Sequence, residues 1–194
     1  GAVAHAERGL SVAQEYDDTS LVSFALWTLG MAHAARGDLE LALDAGARSV
    51  AAAPTPSDRS WAEAANGWFI ARAGRPAEAI PALEQAVAAN RSVRFVWGEV
   101  LANELAEAYL LAGRLEDARA TLDETAARCA AGGMTLPGAI ALRLTAEVEA
   151  VARDDADRGS RALDAYRHAI VALGSMRMRP ELALAHAGLG RLLV

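Results

Sequence analysis

The 194-residue chain contains no lysine, a single cysteine and few aromatic side chains, which make up 5% of its residues. Without lysine it cannot form the lysine-containing Gly-rich loop that binds phosphates in nucleotide-dependent enzymes. The one cysteine, Cys129, excludes an internal disulfide framework and a zinc site built from several cysteines. Isoleucine and threonine are scarce, so the propensity for β-strands is low. These absences make an α-helical protein the simplest expectation.

The charge balance provides no basic surface. All 19 basic residues are arginine and face 25 acidic residues, which gives a net charge of −6. A chain without a basic patch is not expected to bind nucleic acid directly. No apolar run reaches the roughly 18 residues of a bilayer span, and no basic segment followed by an apolar one marks a signal peptide at the N-terminus. We therefore expect a cytoplasmic protein with neither nucleic acid nor membrane as a partner.

The chain is instead rich in apolar, helix-forming sequence. Hydrophobic residues make up 53% of it, and the mean hydropathy is +0.13. Alanine and leucine dominate this fraction, and both are strong helix formers. The composition predicts an all-α protein. The periodic pattern and its turns predict one domain over residues 1–194, with about nine to ten helices. We expect these helices near residues 2–16, 20–36, 38–53, 60–73, 76–90, 94–112, 115–131, 138–153, 157–173 and 180–194.

An internal repeat organises these helices. Three segments share an apolar helix, a turn centred on a glycine, and a second helix. The turn glycines Gly37, Gly74 and Gly113 follow one another at a nearly constant interval. A weaker fourth unit has its turn at 153–157, and a fifth begins at Glu181 as a first helix. The second helices share three positions, of which the outer two carry short side chains and the middle one a larger side chain in every unit but the first. These residues are Ala42, Gly46 and Ser49; Ala79, Leu83 and Ala86; Ala118, Leu122 and Thr125; Ala162, Tyr166 and Ala169.

Several local expectations follow from this repeat. The turn glycines should adopt the left-handed conformation that ends a helix. Ser60 and Glu63 have the spacing of a capping box, which predicts a helix start at residue 60. Pro81 lies inside a predicted helix and should bend or destabilise it. Gly46 stands where the other units carry a larger side chain, so the first unit should be less well packed there or have the space filled by a neighbour.

The first unit resembles the tetratricopeptide repeat. Leu29, Gly30, Gly37, Ala42 and Pro54 fall at signature positions of that family, whereas His33 and Gly46 depart from it. The interval between turn glycines exceeds the usual repeat length of about 34 residues. Longer units of this kind resemble the sensor regions of large bacterial regulators, of the maltose-regulon activator type or the ATPase-linked class III nucleotide cyclase type. The C-terminal segment 178–192 is similar to the arrays of the cyclase type.

The resemblance implies a right-handed superhelical solenoid of antiparallel helix pairs, cut from a larger multidomain signalling or transcriptional regulator. It also implies a groove lined by the first helix of each pair. The positions that match groove-lining positions of the family are Phe24, Trp27, Met31, Trp61, Trp68, Arg72, Val100, Asn103 and Glu107. Their three tryptophans would form an aromatic platform for a peptide, a helix or a small ligand. Alternatively, the aromatic residues only seal neighbouring helix pairs together.

The sequence offers no chemistry for catalysis. The four histidines never occur three or four residues apart, and no zinc-protease or serine-hydrolase motif is present. Glu104 and Glu107 share a helix face, as a glycosidase would need, but nothing else supports such an enzyme. We therefore expect no catalytic residues, no metal and no cofactor. The leading hypothesis is a module that binds a protein, a peptide or other domains of the parent chain; the alternative is a sensor that binds a small-molecule effector in the groove.

Overall fold

The computed structural model describes residues 1–90, 96–151 and 156–194. All regular secondary structure in these ranges is helical, which confirms the predicted all-α class. The helices are α1 (Ala2–Glu15), α2 (Thr19–Ala34), α3 (Leu39–Ala52), α4 (Pro56–Arg72), α5 (Pro76–Asn90), α6 (Val96–Leu111), α7 (Leu115–Gly132), α8 (Thr135–Val151), α9 (Ala156–Ser175) and α10 (Arg179–Leu192).

The chain divides into two compact units, Gly1–Ala89 and Asn90–Val194, called here the N-terminal and C-terminal units. In the N-terminal unit α2 packs on α3, and the first helices α2 and α4 contact each other. In the C-terminal unit α6 packs on α7 and α8 on α9, while the first helices α6, α8 and α10 contact in sequence. Within each unit this is the stacking of a tetratricopeptide-like solenoid. That residues 1–194 act as one domain of a larger protein stays a prediction.

The repeated positions of the second helices form the contact with the first helices. Every residue at these positions is buried, from Ala42 at 0% exposure to Ala86 at 2%. In the first pair, Ser23 on α2 and Ser49 on α3 each donate a hydroxyl hydrogen bond to the other's backbone carbonyl, at 2.9 and 2.8 Å. Only short side chains leave two helices close enough for such reciprocal bonds. The three repeated positions of the second helices therefore mark where the paired helices contact each other.

The turn glycines adopt the predicted left-handed conformation. The φ angles are +84° at Gly37, +86° at Gly74 and +74° at Gly113. A residue with a Cβ atom is strained in this region, whereas glycine is not. The fourth predicted turn, at 153–157, lies mostly outside the described residues.

Phe69 fills the space beside two glycines of the first helix pair. Its side chain is fully buried. A Cβ atom added to Gly30 would lie 2.5 Å from its Cε2, and one added to Gly46 would lie 2.8 Å from its Cδ2. The Asn66 Oδ1 atom would also lie 2.5 Å from a Cβ on Gly46. Of the two outcomes expected at Gly46, the structure shows the second: side chains of α4 fill the space.

Two helix starts were predicted wrongly. Helix α4 begins at Pro56, where the hydroxyl of the N-cap residue Thr55 accepts the Asp58 backbone N–H at 3.1 Å. Proline suits the first helical turn because its missing N–H would be unpaired there, so the capping box predicted at Ser60 lies inside the helix. Helix α8 likewise begins at Thr135 instead of residue 138. Helix α5 continues through Pro81.

Candidate functional site

An aromatic row runs across the first helices of the N-terminal unit and consists of Phe24, Trp27 and Trp61. The ring centroids of Phe24 and Trp27 are 5.3 Å apart with the rings nearly perpendicular. The rings of Trp27 and Trp61 are stacked with centroids 6.4 Å apart. Phe24 is 50% exposed and Trp61 is partly exposed, whereas Trp27 is only 7% exposed. The row therefore has a buried centre and an accessible edge.

The other predicted groove residues of this unit belong mainly to its core. Trp68 is 7% exposed and shares a cluster with Trp27 and Phe69, against which Met31 packs while partly buried. The Arg72 guanidinium lies 5.0 Å from the centroid of the Trp68 ring, a cation–π geometry that holds the arginine in place. Burial of Trp27 and Trp68 supports the packing role that was weighed against binding. Among the predicted groove residues, Phe24 and Trp61 are the aromatic ones that stay accessible.

Polar side chains lie beside the aromatic row, toward the N-terminal ends of α2 and α4. The Ser20 hydroxyl donates to an Asp58 carboxylate oxygen at 3.1 Å, which joins α2 to α4. The Thr55 hydroxyl donates to the same oxygen at 2.7 Å. Ser20 precedes Phe24 by one helical turn, and Asp58 precedes Trp61 by three residues, so these polar side chains lie next to the aromatic ones along the same helix faces.

The remaining predicted groove residues lie in the C-terminal unit, on α6. Asn103 is 3% exposed, and its side-chain amide donates to the Pro137 carbonyl of α8 at 2.8 Å. Val100 and Glu107 are partly buried on the same helix. Asn103 therefore links two first helices. That the predicted groove residues bind a ligand stays a prediction.

A polar cluster that sequence reasoning missed crosses the first helices of the C-terminal unit. Arg143 on α8 is 2% exposed. Its guanidinium donates to Glu147 on the same helix and to Glu181 on α10, each at 2.8 Å. Burial lowers the pKa of Arg143, but the charges of Glu181, Glu147 and Glu107 raise it above its usual value. This buried cation is therefore held charged by carboxylates from three successive first helices.

A second feature that the sequence did not indicate is a pocket of about 560 Å³ in the C-terminal unit. Cys129, Met134 and Met176 lie among its lining, which is otherwise mostly small and apolar. Burial, followed by the charge of Glu99, raises the pKa of the Cys129 thiol to about 11. The thiol is therefore protonated at neutral pH and is a poor nucleophile.

Two negative observations concern the described residues only. Across 1–90, 96–151 and 156–194, no three His, Cys, Asp or Glu side chains come together in a way that could hold a metal ion. Within the same ranges, none of the helices combines the length and the apolar character that crossing a membrane requires.

Comparison with known proteins agrees with the helix-pair geometry. Residues 71–128 match the tetratricopeptide repeat family. The chain has a tetratricopeptide-like fold. It is also similar to the crystal structure of BtubC (BKLC) from P. vanneervenii, with a TM-score of 0.63 and 15% identity over 98% of this chain and 88% of that chain. At this identity the likeness concerns the fold alone. No curated protein sequence matches the chain.

Proposed function

We propose that the chain is a non-catalytic module that binds a protein or peptide through the first helices of its tetratricopeptide-like pairs. Tetratricopeptide repeats generally mediate protein–protein interaction. The observation that carries the proposal is the aromatic row, in which the accessible rings of Phe24 and Trp61 flank the buried ring of Trp27. Accessible aromatic rings fixed by a packed neighbour bind partners well, because little side-chain entropy is lost on binding.

Selection of binders from a random peptide library displayed against the full chain tests this proposal. Binders should lose about tenfold or more in affinity for the Phe24→Ala and Trp61→Ala variants, since aromatic truncation at the centre of an interface costs about 2 kcal/mol or more. Leu41→Ala is the matched control, because Leu41 is a 53% exposed apolar residue on α3 of the same unit. Affinities that are equal for Phe24→Ala and the native chain, or that fall as far for Leu41→Ala, would refute the proposal.

The parent protein that we propose is a cytoplasmic, multidomain bacterial signalling or transcriptional regulator. This proposal is supported by the interval between the turn glycines, which is longer than the standard repeat. It is also supported by the similarity of segment 178–192 to the arrays of the cyclase type. The reading frame that contains residues 1–194 should also encode an ATPase, cyclase or DNA-binding domain. A frame that encodes helical repeats alone would contradict the assignment.

The alternative function, sensing of a small-molecule effector, is favoured by the apolar pocket beside Cys129. Its volume lies within the roughly 300–1,000 Å³ of small-molecule sites. The pocket is lined by α7, α8 and α9, and so includes second helices, in contrast to the groove expected from the sequence. An apolar effector that prefers the folded chain must raise its melting temperature. Leu142→Trp, at the exposed edge of the pocket, should abolish that rise; a rise that persists in this variant would place the effector elsewhere.

A further inference from the structure

Another pocket of the C-terminal unit lies where three first helices end. Its volume is about 460 Å³, within the roughly 300–1,000 Å³ of small-molecule sites. Its lining includes the last residues of α6, α8 and α10, which are Leu111, Val151 and Leu192. Because Leu111 is 51% and Val151 58% exposed, the pocket opens to solvent beside these apolar side chains. Among the described residues, none lines both this pocket and the one beside Cys129.

Glu147 and Tyr166 line this pocket and have unused hydrogen-bonding capacity. The Glu147 side chain on α8 is 19% exposed, and its Oε1 atom accepts from Arg143 at 2.8 Å. Its Oε2 atom makes no hydrogen bond within the part of the chain that the structure describes. Tyr166 on α9 is 1% exposed, and no described residue forms a hydrogen bond with its hydroxyl. A buried polar group without a partner in a native structure requires an explanation.

The hydroxyl end of Tyr166 reaches the pocket beside a glycine of α10. A Cβ atom added to Gly188 would lie 2.6 Å from Cζ of the ring and closer still to the hydroxyl oxygen. Gly188 and Tyr166 both line the pocket, so the hydroxyl lies at its wall. Burial, followed by the charge of Glu147, raises the pKa of Tyr166 to about 12. The hydroxyl therefore keeps its proton at neutral pH and can both donate and accept a hydrogen bond.

The charges around the pocket favour an additional cation. Three carboxylates act on the buried guanidinium of Arg143, those of Glu107, Glu147 and Glu181. The pocket residue Arg191 adds one more guanidinium, whose charge acts on Glu147. The C-terminal ends of α6, α8 and α10 add partial negative charge, because the last carbonyl groups of a helix have no partner within it. Carboxylates thus outnumber guanidinium groups here, and a ligand with a positive group is expected.

We propose that this pocket binds a small primary amine with an apolar chain, whose ammonium group donates to the Glu147 Oε2 atom and to the Tyr166 hydroxyl. An ammonium has three donors and no acceptor, which suits two acceptor oxygens that lack a donor. The chain of the amine lies against the apolar residues of the opening, which include Leu111 and Val151. This inference goes beyond the proposed function, since it concerns a small molecule and residues outside the aromatic row.

A free amine fits the opening better than a lysine side chain of a partner protein. Both present an ammonium on an apolar chain, but lysine also brings the polar main chain to which it is attached. Leu111 and Val151 at the opening are apolar and offer that main chain no hydrogen bonds from their side chains. Removing an unpaired amide from water is costly, whereas an alkyl end is stabilised by contact with these side chains.

Calorimetric titration of the full chain with hexylamine tests the inference, and 1-hexanol and hexanoate serve as neutral and anionic probes of similar shape. We expect hexylamine to bind about tenfold or more tightly than either, because hydrogen bonds from a charged donor are the stronger ones. Ethylamine should bind about tenfold or more weakly than hexylamine, since it buries less apolar surface. Nα-acetyl-lysinamide should also bind about tenfold or more weakly; binding as tight as that of hexylamine would assign the pocket to a partner's lysine and overturn the inference.

Tyr166→Phe removes the hydroxyl alone and should weaken hexylamine binding about tenfold. It should fold normally, since no described residue loses a hydrogen-bond partner, and a urea midpoint that is unchanged or raised checks this. Tyr16→Phe removes the same atom from a 78% exposed tyrosine and should bind hexylamine as the native chain does. Glu147→Gln should reduce the preference for hexylamine over 1-hexanol about tenfold. Glu116→Gln, at an 85% exposed glutamate that also pairs with an arginine, should change this preference less than about twofold.

Equal binding of hexylamine and 1-hexanol, absence of hexylamine binding, or unchanged binding by Tyr166→Phe would overturn the inference. Hexylamine binding that is abolished by Leu142→Trp but not by Tyr166→Phe would place the amine in the pocket beside Cys129 and would overturn it too. Should Tyr166→Phe fail to fold, the preference measured on Glu147→Gln decides. Because the selected peptides depend on Phe24 and the amine on Tyr166, failure of one proposal leaves the other standing.

Discussion

Replacing Gly30 by alanine tests whether Phe69 fits between two helices because both lack a side chain there. The new Cβ would lie 2.5 Å from Cε2 and 2.7 Å from Cζ of the fully buried Phe69 ring. The ring cannot withdraw freely, since it is fully buried and the same edge, through Cδ2, also approaches Gly46 on α3. The ring, or the helix that carries it, must therefore shift.

Two effects of opposite sign set the magnitude. Alanine in place of glycine within a helix stabilises by about 1 kcal/mol, whereas forcing an extra carbon into a packed core costs about 1–3 kcal/mol. Because two ring atoms lie inside 3 Å of the added Cβ, we take the upper part of that range and expect Gly30→Ala to lower the free energy of unfolding by about 1–2 kcal/mol. Once Phe69→Ala removes the ring, only the Ala42 backbone oxygen stays close to the new Cβ, at 3.3 Å, so the same substitution should be neutral or stabilise by up to about 1 kcal/mol.

Urea unfolding, followed by tryptophan fluorescence, measures this double-mutant cycle. Three of the four tryptophans, at 27, 61 and 68, lie in the N-terminal unit and report on it. Gly9→Ala is the control, because Gly9 is an exposed helical glycine with no atom within 4 Å of an added Cβ; it should stabilise by up to about 1 kcal/mol. If Gly30→Ala is as stabilising as Gly9→Ala, the steric reasoning is refuted.

Two further predictions concern the C-terminal unit. Leu105→Ala and Leu122→Ala, at 5% and 1% exposure, should each cost about 2–5 kcal/mol through the cavity they leave, and an unchanged urea midpoint for either would contradict the packing described here. Because the pKa of Glu104 is higher in the folded than in the unfolded chain, its contribution to stability is greatest at acid pH and is lost as the pH rises above 4.5 towards the folded value. Glu104→Gln should therefore reduce the slope with which the free energy of unfolding falls as the pH rises, by up to about 1.4 kcal/mol per pH unit. Equal slopes for the native chain and the variant would contradict this explanation.

The sequence was sufficient for the helix pairs and their order. Periodicity, turn glycines and short side chains are local signals, and each of them reports on contacts that recur in every unit. The start of α4 was missed because Ser60 and Glu63 imitate a cap, while the true cap at Thr55 precedes a proline. The Phe69 contact was foreseen only as a gap at Gly46, since nothing in one repeat shows which residue of the next will fill it.

The candidate site was less predictable than the fold for a related physical reason. Groove positions transferred from the family gave Trp27 and Phe24 equal weight, yet the first is buried and the second half exposed. That difference depends on neighbours from another helix pair, which the local pattern does not contain. Likewise, nothing in the local pattern indicates that Arg143 and Glu104 are buried, as the structure shows both to be.

The two kinds of helix in this chain follow different rules. In the second helices the same three buried positions recur in successive pairs, with short side chains at the outer two, because those positions must fit the partner helix of the pair. The first helices instead place aromatic rings on α2 and α4, but carboxylates and a buried arginine on α6, α8 and α10. Close packing therefore repeats the same three positions in every second helix, whereas the aromatic and charged residues of the first helices differ from pair to pair. Because the accessible rings of the proposed site lie on first helices, substitutions that change partner choice should concentrate at exposed positions of those helices, whereas substitutions in the second helices should act mainly on stability.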